Sequence, residues 1–333
     1  MKNILIKYLE TLATDAKQSH GNLAVFPLLS DAAVSLAYLM LDEALQKEVV
    51  EVAEVDESGE VSRLKVINRS NLPVLILDGE ELVGAKQNRI VNSTFLIAAG
   101  SVTIIPVSCV EQGRWTYRTD RFFSEKRMMT SRMRASKAVE VQNCLSMRAE
   151  FAADQGSVWQ NIREMAERRN VDSLSGAMAD IFEKERPTIA EYLPHFHCIE
   201  RQVGAIFAIA GKVVGVEAFG KSDTFAACFD KIVESYVLDA IDEVDREGKD
   251  RSTAENAGNF LRDLFSCRVA TFPSAGLGAD CRLDSEKANG LALVVDGEVL
   301  HLSVFARQAR ERGSKLRTRL SRPSRRRGRM VTR

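Results

Sequence analysis

"PVLILDGEELVGAKQNRIVNSTFLIAAGSVTIIPVSCVE" occupies residues 73–111 and decides the fold class of the first third of this chain. Its short apolar runs are separated by Gly, Asp, Asn and Ser, which favour turns. Two similar runs come earlier, at residues 49–55 and 62–70. Many short strands at regular spacing are typical of a sandwich or a barrel. The sequence therefore predicts a β-rich domain over residues 20–122.

The rest of the chain has a different pattern on each side of this unit. Residues 1–19 read as an N-terminal helix, and residues 123–190 as a helical segment because apolar residues recur three or four positions apart. Residues 191–305 combine a hairpin, turning at residues 210–212, with two amphipathic helices and short strands. The predicted fold class is α+β: a sandwich or barrel-like N-terminal unit, a helical middle and a C-terminal α+β unit.

Composition places the chain among ordinary globular proteins, with 45% hydrophobic and 28% charged residues in a length of 333. No apolar run reaches the roughly 20 residues that a membrane-spanning helix needs. The first residues lack the apolar core and cleavage site of a signal peptide. The six cysteines are scattered and form no CxxC pair, which favours reduced thiols and a cytoplasmic location.

Charge is unevenly distributed although the net charge is zero. Residues 306–333 hold 12 Lys or Arg and one Glu, whereas residues 1–305 hold 34 Lys or Arg and 45 Asp or Glu. The basic tail has no apolar periodicity, so we expect it to be disordered. It could contact nucleic acid through phosphates, or it could be an artefact of the gene end. Outside the tail the sequence indicates no nucleic-acid or membrane partner.

Acidic side chains continue apolar rows in the strands of residues 73–111. Because side chains alternate faces along a strand, Glu80 or Glu81 must lie in line with core residues, and Glu111 follows Cys109 on one face. These carboxylates are candidate catalytic acids and bases. Cys109 is a candidate nucleophile, although a cysteine within a strand is more often a small buried hydrophobic residue.

Polar and aromatic groups suited to a phosphate compound lie close to these acids. Arginine offers a planar fork for phosphate, a tryptophan ring can stack on a base, and amides can bind ribose hydroxyls. The alternative is that these groups are salt-bridged strand ends and turn residues. The candidate ligand-binding residues are Lys86, Gln87, Asn88, Arg89, Asn92, Arg114 and Trp115.

A second polar cluster is predicted from Glu200, Gln202 and Glu217, since an acid is unexpected within the return strand of the hairpin. His195 and His197 would suit a metal if they lay on a strand, but no third ligand is indicated, so we predict a structural or surface role and no metal site. The sequence lacks the GxGxxG, Walker and GxSxG signatures. The sequence therefore leaves any cofactor unknown.

Five motifs carry a resemblance to a known prokaryotic family. The chain resembles the ARG and Rhodanese-Phosphatase-superfamily-associated Protein domain, named for gene neighbourhoods with ADP-ribosylglycohydrolases and rhodanese-like phosphatases. The resemblance covers about residues 20–305 and implies a cytoplasmic role near NAD-derived or ADP-ribose metabolism, without naming catalytic residues. The motifs are "DGEELVGAKQNR", "IPVSCVEQGRW", "GSVWQNI", "ERQVG" and "HLSVF".

Three functions are compatible with these patterns. The leading hypothesis is a protein that binds or processes a nucleotide or ADP-ribose-type phosphate compound. The second is a non-catalytic module that senses such a nucleotide, and the third is an interaction protein that uses its basic tail. The first two need the same pocket, so the sequence leaves open whether the chain is an enzyme, and it gives no oligomeric state.

Overall fold

The computed structural model describes residues 1–32, 34–56, 59–243 and 250–307, and it has the mixed α+β fold that the sequence predicts. The helices are α1 (Lys2–Glu10), α2 (Leu41–Gln46), α3 (Ser131–Arg148), α4 (Gln155–Arg168), α5 (Met178–Tyr192), α6 (Ser222–Glu243) and α7 (Ala254–Leu264), with a 3₁₀ turn at Leu193–His195.

The strands come in two groups, separated by the helices α3, α4 and α5. The first group contains β1 (Ala13–Thr14), β2 (Gln18–His20), β3 (Leu23–Leu29), β4 (Leu39–Met40), β5 (Val50–Glu54), β6 (Arg63–Asn68), β7 (Val74–Ile76), β8 (Glu80–Gly84), β9 (Arg89–Val91), β10 (Phe95–Ile97), β11 (Val102–Cys109) and β12 (Phe122–Met128). The second contains β13 (Gln202–Ile209), β14 (Lys212–Phe219), β15 (Arg268–Pro273), β16 (Ala279–Asp284), β17 (Ala288–Val295) and β18 (Glu298–Ala306).

The larger sheet has the strand order β1-β3-β13-β14-β18-β17-β16-β15, and β2 pairs with β3. Helices α1 and α7 cover one face, while α6 packs against β13 on the other. Because both faces are covered, β13 and β17 are buried along their whole length. The predicted hairpin is present, since β13 and β14 join between Ile209 and Lys212.

The smaller sheet is a curled half-barrel with the order β12-β8-β9-β11-β6-β5. Its edge strands β12 and β5 approach each other, and helix α2 packs against β5. The interior is apolar, with Val52, Leu64, Val66 and Ile105 fully buried. This half-barrel carries most of the predicted site residues. A third sheet has the order β10-β7-β4, and its strands β7 and β10 alternate along the chain with strands of the half-barrel.

Several boundaries differ from the sequence predictions. The strand β12 runs to Met128, so the helical segment begins at Ser131 instead of residue 123, because β12 has a strand partner in β8. The strand β3 pairs with β13 and so joins the larger sheet instead of the half-barrel. Most of the predicted basic tail, from residue 308 onward, lies outside the described residues. Within the described ranges, no helix is long and apolar enough to cross a membrane.

Candidate functional site

The acids of the segment "DGEEL" are held in buried ion pairs with cations from other elements. Asp78 pairs with Lys137 of α3, Glu80 pairs with Lys231 of α6, and Glu81 lies 3.0 Å from Arg127 of β12. Lys231 also contacts Asp42 at 2.8 Å. We call these pairs, together with the pair Arg134–Glu217, the ion-pair belt. The belt joins the half-barrel to the helices.

Glu217 is the most heavily bonded member of the belt. Its carboxylate accepts hydrogen bonds from Arg134 at 2.5 Å, from Tyr236 at 3.2 Å and from Ser303 at 3.1 Å, and it contacts His301 Nε2 at 3.2 Å. Burial alone raises the pKa of Glu217, but the charge of Arg134 and the hydrogen bond with His301 outweigh it and lower the pKa.

Arg134 reaches Glu217 by passing over Gly79, which is in the left-handed region with a φ of +79°. A side chain at position 79 would collide with Arg134. Glycine is therefore required here both by the backbone conformation and by the close approach of Arg134.

The predicted second cluster does not come together. Glu200 is exposed in the turn before β13. Gln202 is buried and bonds locally, accepting from the Ile199 N–H at 2.9 Å and donating to the Gly204 carbonyl. Only Glu217 reaches the belt. His195 lies in a 3₁₀ turn instead of a strand and stacks on His20, with ring centroids 3.7 Å apart.

A second polar region lies at the loop between β8 and β9, where Glu111 anchors the chain. Glu111 Oε2 accepts hydrogen bonds from the Asn88 N–H at 3.1 Å and from Arg114 Nη2 at 2.6 Å. Gln87 Nε2 donates to the Glu111 carbonyl at 3.0 Å, and Arg114 Nη1 donates to the Ala85 carbonyl at 2.6 Å. Burial raises the pKa of Glu111, but Arg114 and the Asn88 N–H outweigh it, so the pKa is lowered and the group stays ionised.

Arg89 lies behind this loop and is fully buried. Its Nη1 donates to Gln87 Oε1 at 3.2 Å, and its Nη2 is 3.8 Å from Glu54 Oε1. Arg89 Nε and Nη2 and both Glu54 oxygens have no hydrogen-bond partner among the described residues. Burial lowers the pKa of Arg89 and raises that of Glu54, so both charges are poorly solvated.

Two aromatic rings lie beside Lys86, and one of them, Trp115, also faces Arg89. Trp115 is 45% exposed and Tyr117 is 49% exposed. Lys86 Nζ lies 5.4 Å from the Trp115 ring centre and 5.0 Å from that of Tyr117, while Arg89 Cζ lies 5.7 Å from Trp115. We call the following group the Arg89 site: Glu54, Lys86, Gln87, Asn88, Arg89, Glu111, Arg114, Trp115 and Tyr117.

Two of the predicted site residues, Cys109 and Asn92, lie outside the Arg89 site. Cys109 is buried beside the Arg89 site, with its backbone held by Gln155, and burial raises the pKa of its thiol. A raised pKa disfavours the thiolate, which is the nucleophilic form. Asn92 lies beyond the other end of β9, where it accepts from Ser108 and donates to the Phe151 carbonyl.

The family of the chain follows from a comparison with family models. The model of the ARG and Rhodanese-Phosphatase-superfamily-associated Protein domain, ARPP-1, matches residues 11–305. The chain belongs to the ARPP-1 family. No curated protein and no solved structure matches it.

All of the Arg89 site lies within the ARPP-1 match. Glu54 and Tyr117 are the members that the sequence interpretation missed. Glu54 had a usable signal, because it continues the inward row of Val50 and Val52 on β5, just as Glu111 continues a row on β11. Tyr117 had no comparable signal, since it lies in a loop.

Two cavities of the described structure do not coincide with the Arg89 site. One of about 780 Å³ lies beside α3 and β17 and is bordered by Arg132, Asp239 and Asn289. Another of about 160 Å³ is lined by Trp159, Ile162 and neighbours on α4. Across the part of the chain that the structure describes, no group of three or more His, Cys, Asp or Glu side chains is arranged to hold a metal ion.

Proposed function

We propose that this ARPP-1 protein binds a nucleotide-type phosphate compound at the Arg89 site, with ADP-ribose-type compounds among the candidates. The Arg89 guanidinium carries the proposal, because Nε and Nη2 are buried without a hydrogen-bond partner among the described residues. A buried donor left without a partner costs about 1–3 kcal/mol, and more when the group is charged. Such an exception calls for an explanation, and a ligand supplies one.

The two unpartnered atoms have the geometry of an anion fork. Nε and Nη2 lie along one edge of the planar guanidinium group, and such an edge binds two oxygens of a phosphate in parallel. A bound phosphate would satisfy both donors and offset the cost of the buried charge. Lys86 lies near the same ring as Arg89 and would add a second positive charge.

The aromatic rings at the border of the site support a nucleotide over a bare phosphate. Trp115 and Tyr117 are half-exposed beside a buried cation, and large exposed aromatic residues near polar groups often mark binding surfaces. An aromatic ring stacked on a base contributes about 1–3 kcal/mol. A ligand with both a phosphate and a flat ring would therefore use both parts of the site.

The surroundings of the candidate catalytic residues favour binding without catalysis. Glu80 and Glu81 are engaged in ion pairs, and Glu111 is held ionised by Arg114. A general acid must hold a proton near neutral pH, which the lowered pKa of Glu111 disfavours. Burial raises the pKa of Glu80 and of Glu81, but each is in contact with a buried cation of the ion-pair belt. Non-catalytic nucleotide sensing is thus the favoured form of the proposal. The cytoplasmic, NAD-linked context is the part that rests on the family name.

Thermal-shift and calorimetric titrations with AMP, ADP-ribose and NAD test the proposal on the full chain. A ligand at 100 times its dissociation constant should stabilise the wild-type fold by about 2.7 kcal/mol. Arg89→Lys keeps the charge but loses the fork, so affinity should fall by about tenfold or more. Monitoring each compound for conversion separates binding from turnover.

Arg121→Lys is the matched control, because Arg121 is exposed and its side chain contacts Glu51 outside the site. Its affinity for the ligand should equal that of the wild type. The proposal fails if none of the three compounds stabilises the wild-type protein, or if Arg89→Lys binds as tightly as Arg121→Lys.

A further inference from the structure

We infer that Glu54 is the hydroxyl-recognising group of the Arg89 site, so that the preferred ligand is a ribose phosphate with free vicinal hydroxyls. This inference rests on the proposed function, since it specifies the compound that Arg89 would hold. Glu54 ends β5 and is 6% exposed. Neither of its carboxylate oxygens has a partner at hydrogen-bonding distance and angle among the described residues, although the backbone N–H of Lys86 lies near enough to lower its pKa in part against the effect of burial.

Glu54 differs from the acids of the ion-pair belt in having no cation at hydrogen-bond distance among the described residues. Asp78, Glu80, Glu81 and Glu217 each have a cation in direct contact. The nearest cation to Glu54 is Arg89, at 3.8 Å, which is beyond hydrogen-bond distance. A carboxylate accepts hydrogen bonds at both oxygens, so two neighbouring hydroxyls would satisfy it.

The amides near the site are not available for this role. Gln87 donates to the Glu111 carbonyl and accepts from Arg89. Asn88 Oδ1 accepts from Gly84 N–H and from Arg114, and Asn88 Nδ2 contacts Glu81. These bonds shape the loop. Glu54 leaves both carboxylate oxygens for sugar hydroxyls and lies next to the fork that would hold the phosphate, whereas Glu111 leaves only Oε1, which faces Arg118 at 3.7 Å.

Calorimetric titration of the full chain with AMP and with 2′,3′-dideoxy-AMP tests the inference, because the two differ only in the ribose hydroxyls. The wild type should prefer AMP by about tenfold or more, since a site built to bind a hydroxyl rejects the analogue that lacks it. Glu54→Gln should reduce this preference to less than about threefold. It should also bind dideoxy-AMP as tightly as the wild type or more tightly, because a negative charge beside the phosphate is gone.

Glu51→Gln is the control, because Glu51 lies on the same strand but pairs with Arg69 on the surface. It should keep the wild-type preference for AMP. Equal affinity of the wild type for both compounds would overturn the hydroxyl subsite while leaving phosphate binding intact. Binding of neither compound would overturn the subsite and count against the proposed function as well. The wild-type comparison decides the question even if Glu54→Gln fails to fold.

Discussion

The ion-pair belt and the Arg89 site are both buried and charged, but they satisfy their charges differently. In the belt each acid contacts a cation, and Glu217 has four polar neighbours. In the Arg89 site, Arg89 and Glu54 lie 3.8 Å apart and neither completes its hydrogen bonds among the described residues. The belt therefore has the contacts of a structural network, whereas the Arg89 site keeps buried donors and acceptors without partners in the described part of the chain, which is why we propose it as a ligand site.

One segment of sequence contributes to both regions. Its first half supplies Asp78, Glu80 and Glu81 to the belt, and its second half supplies Lys86 and Arg89 to the site. A dense run of polar residues can therefore supply structural ion pairs, a candidate ligand site, or both. The two roles are distinguished only by where the oppositely charged partners lie, and these partners come from distant elements.

The largest expected effect comes from breaking the belt. Glu217→Gln leaves Arg134 buried without its counter-charge, and removing one partner of a buried pair costs about 3–5 kcal/mol. The free energy of unfolding, measured by urea denaturation, should fall by this amount. A loss below about 1 kcal/mol would mean that the belt contributes little to stability and does not differ in this respect from the Arg89 site.

A smaller effect, of opposite sign, is expected from the Arg89 site. Replacing both Arg89 and Glu54 with Met should leave stability unchanged or raise it by about 1–4 kcal/mol, because a poorly satisfied buried pair gives way to apolar packing. AMP binding should be lost at the same time. A loss of stability as large as that of Glu217→Gln would identify Arg89 and Glu54 as structural residues.

The smallest effect is a difference in pH dependence. The pKa of Glu217 is lowered in the fold, so its stabilising contribution is present above the ordinary value of about 4.3 and is lost as pH falls. The pKa of Glu54 is raised by burial, so its contribution is present below that value and is lost as pH rises through the raised pKa.

Urea midpoints across the acidic range measure these opposite slopes. Relative to Glu217→Gln, the wild type should gain stability as pH rises. Relative to Glu54→Gln, it should lose stability as pH rises. Slopes of the same sign for both variants would contradict the assigned environments of the two carboxylates.

Much of the fold was predictable because it depends on local periodicity. The runs around Val52, Val66 and Ile105 alternate or cluster as strands do, and the hairpin at residues 210–212 has a clear turn signal. Pairing across the chain was not predictable. Nothing local shows that β3 pairs with β13, or that β12 continues as a strand beyond residue 123.

The candidate site was predictable only in part, for a related reason. The grouping of Lys86, Arg89, Glu111, Arg114 and Trp115 is present, because these residues lie on neighbouring strands and loops of one sheet. The partners that hold Glu80 and Asp78 are 151 and 59 residues away, so periodicity gives no information about them. Asn92 was misleading because it lies at the opposite end of its short strand from Arg89.

The position of β18 in the larger sheet has a consequence for how the chain folds during synthesis. β18 lies between β14 and β17, yet it is the last described strand to leave the ribosome. β3 is synthesised near the start of the chain, but its partner β13 is synthesised more than 170 residues later. Sheets that depend on such distant pairing fold slowly and expose strand edges meanwhile. The larger sheet therefore cannot be complete until residue 306 has been made, whereas all strands of the half-barrel are made by Met128 and wait for the cations of α3 and α6.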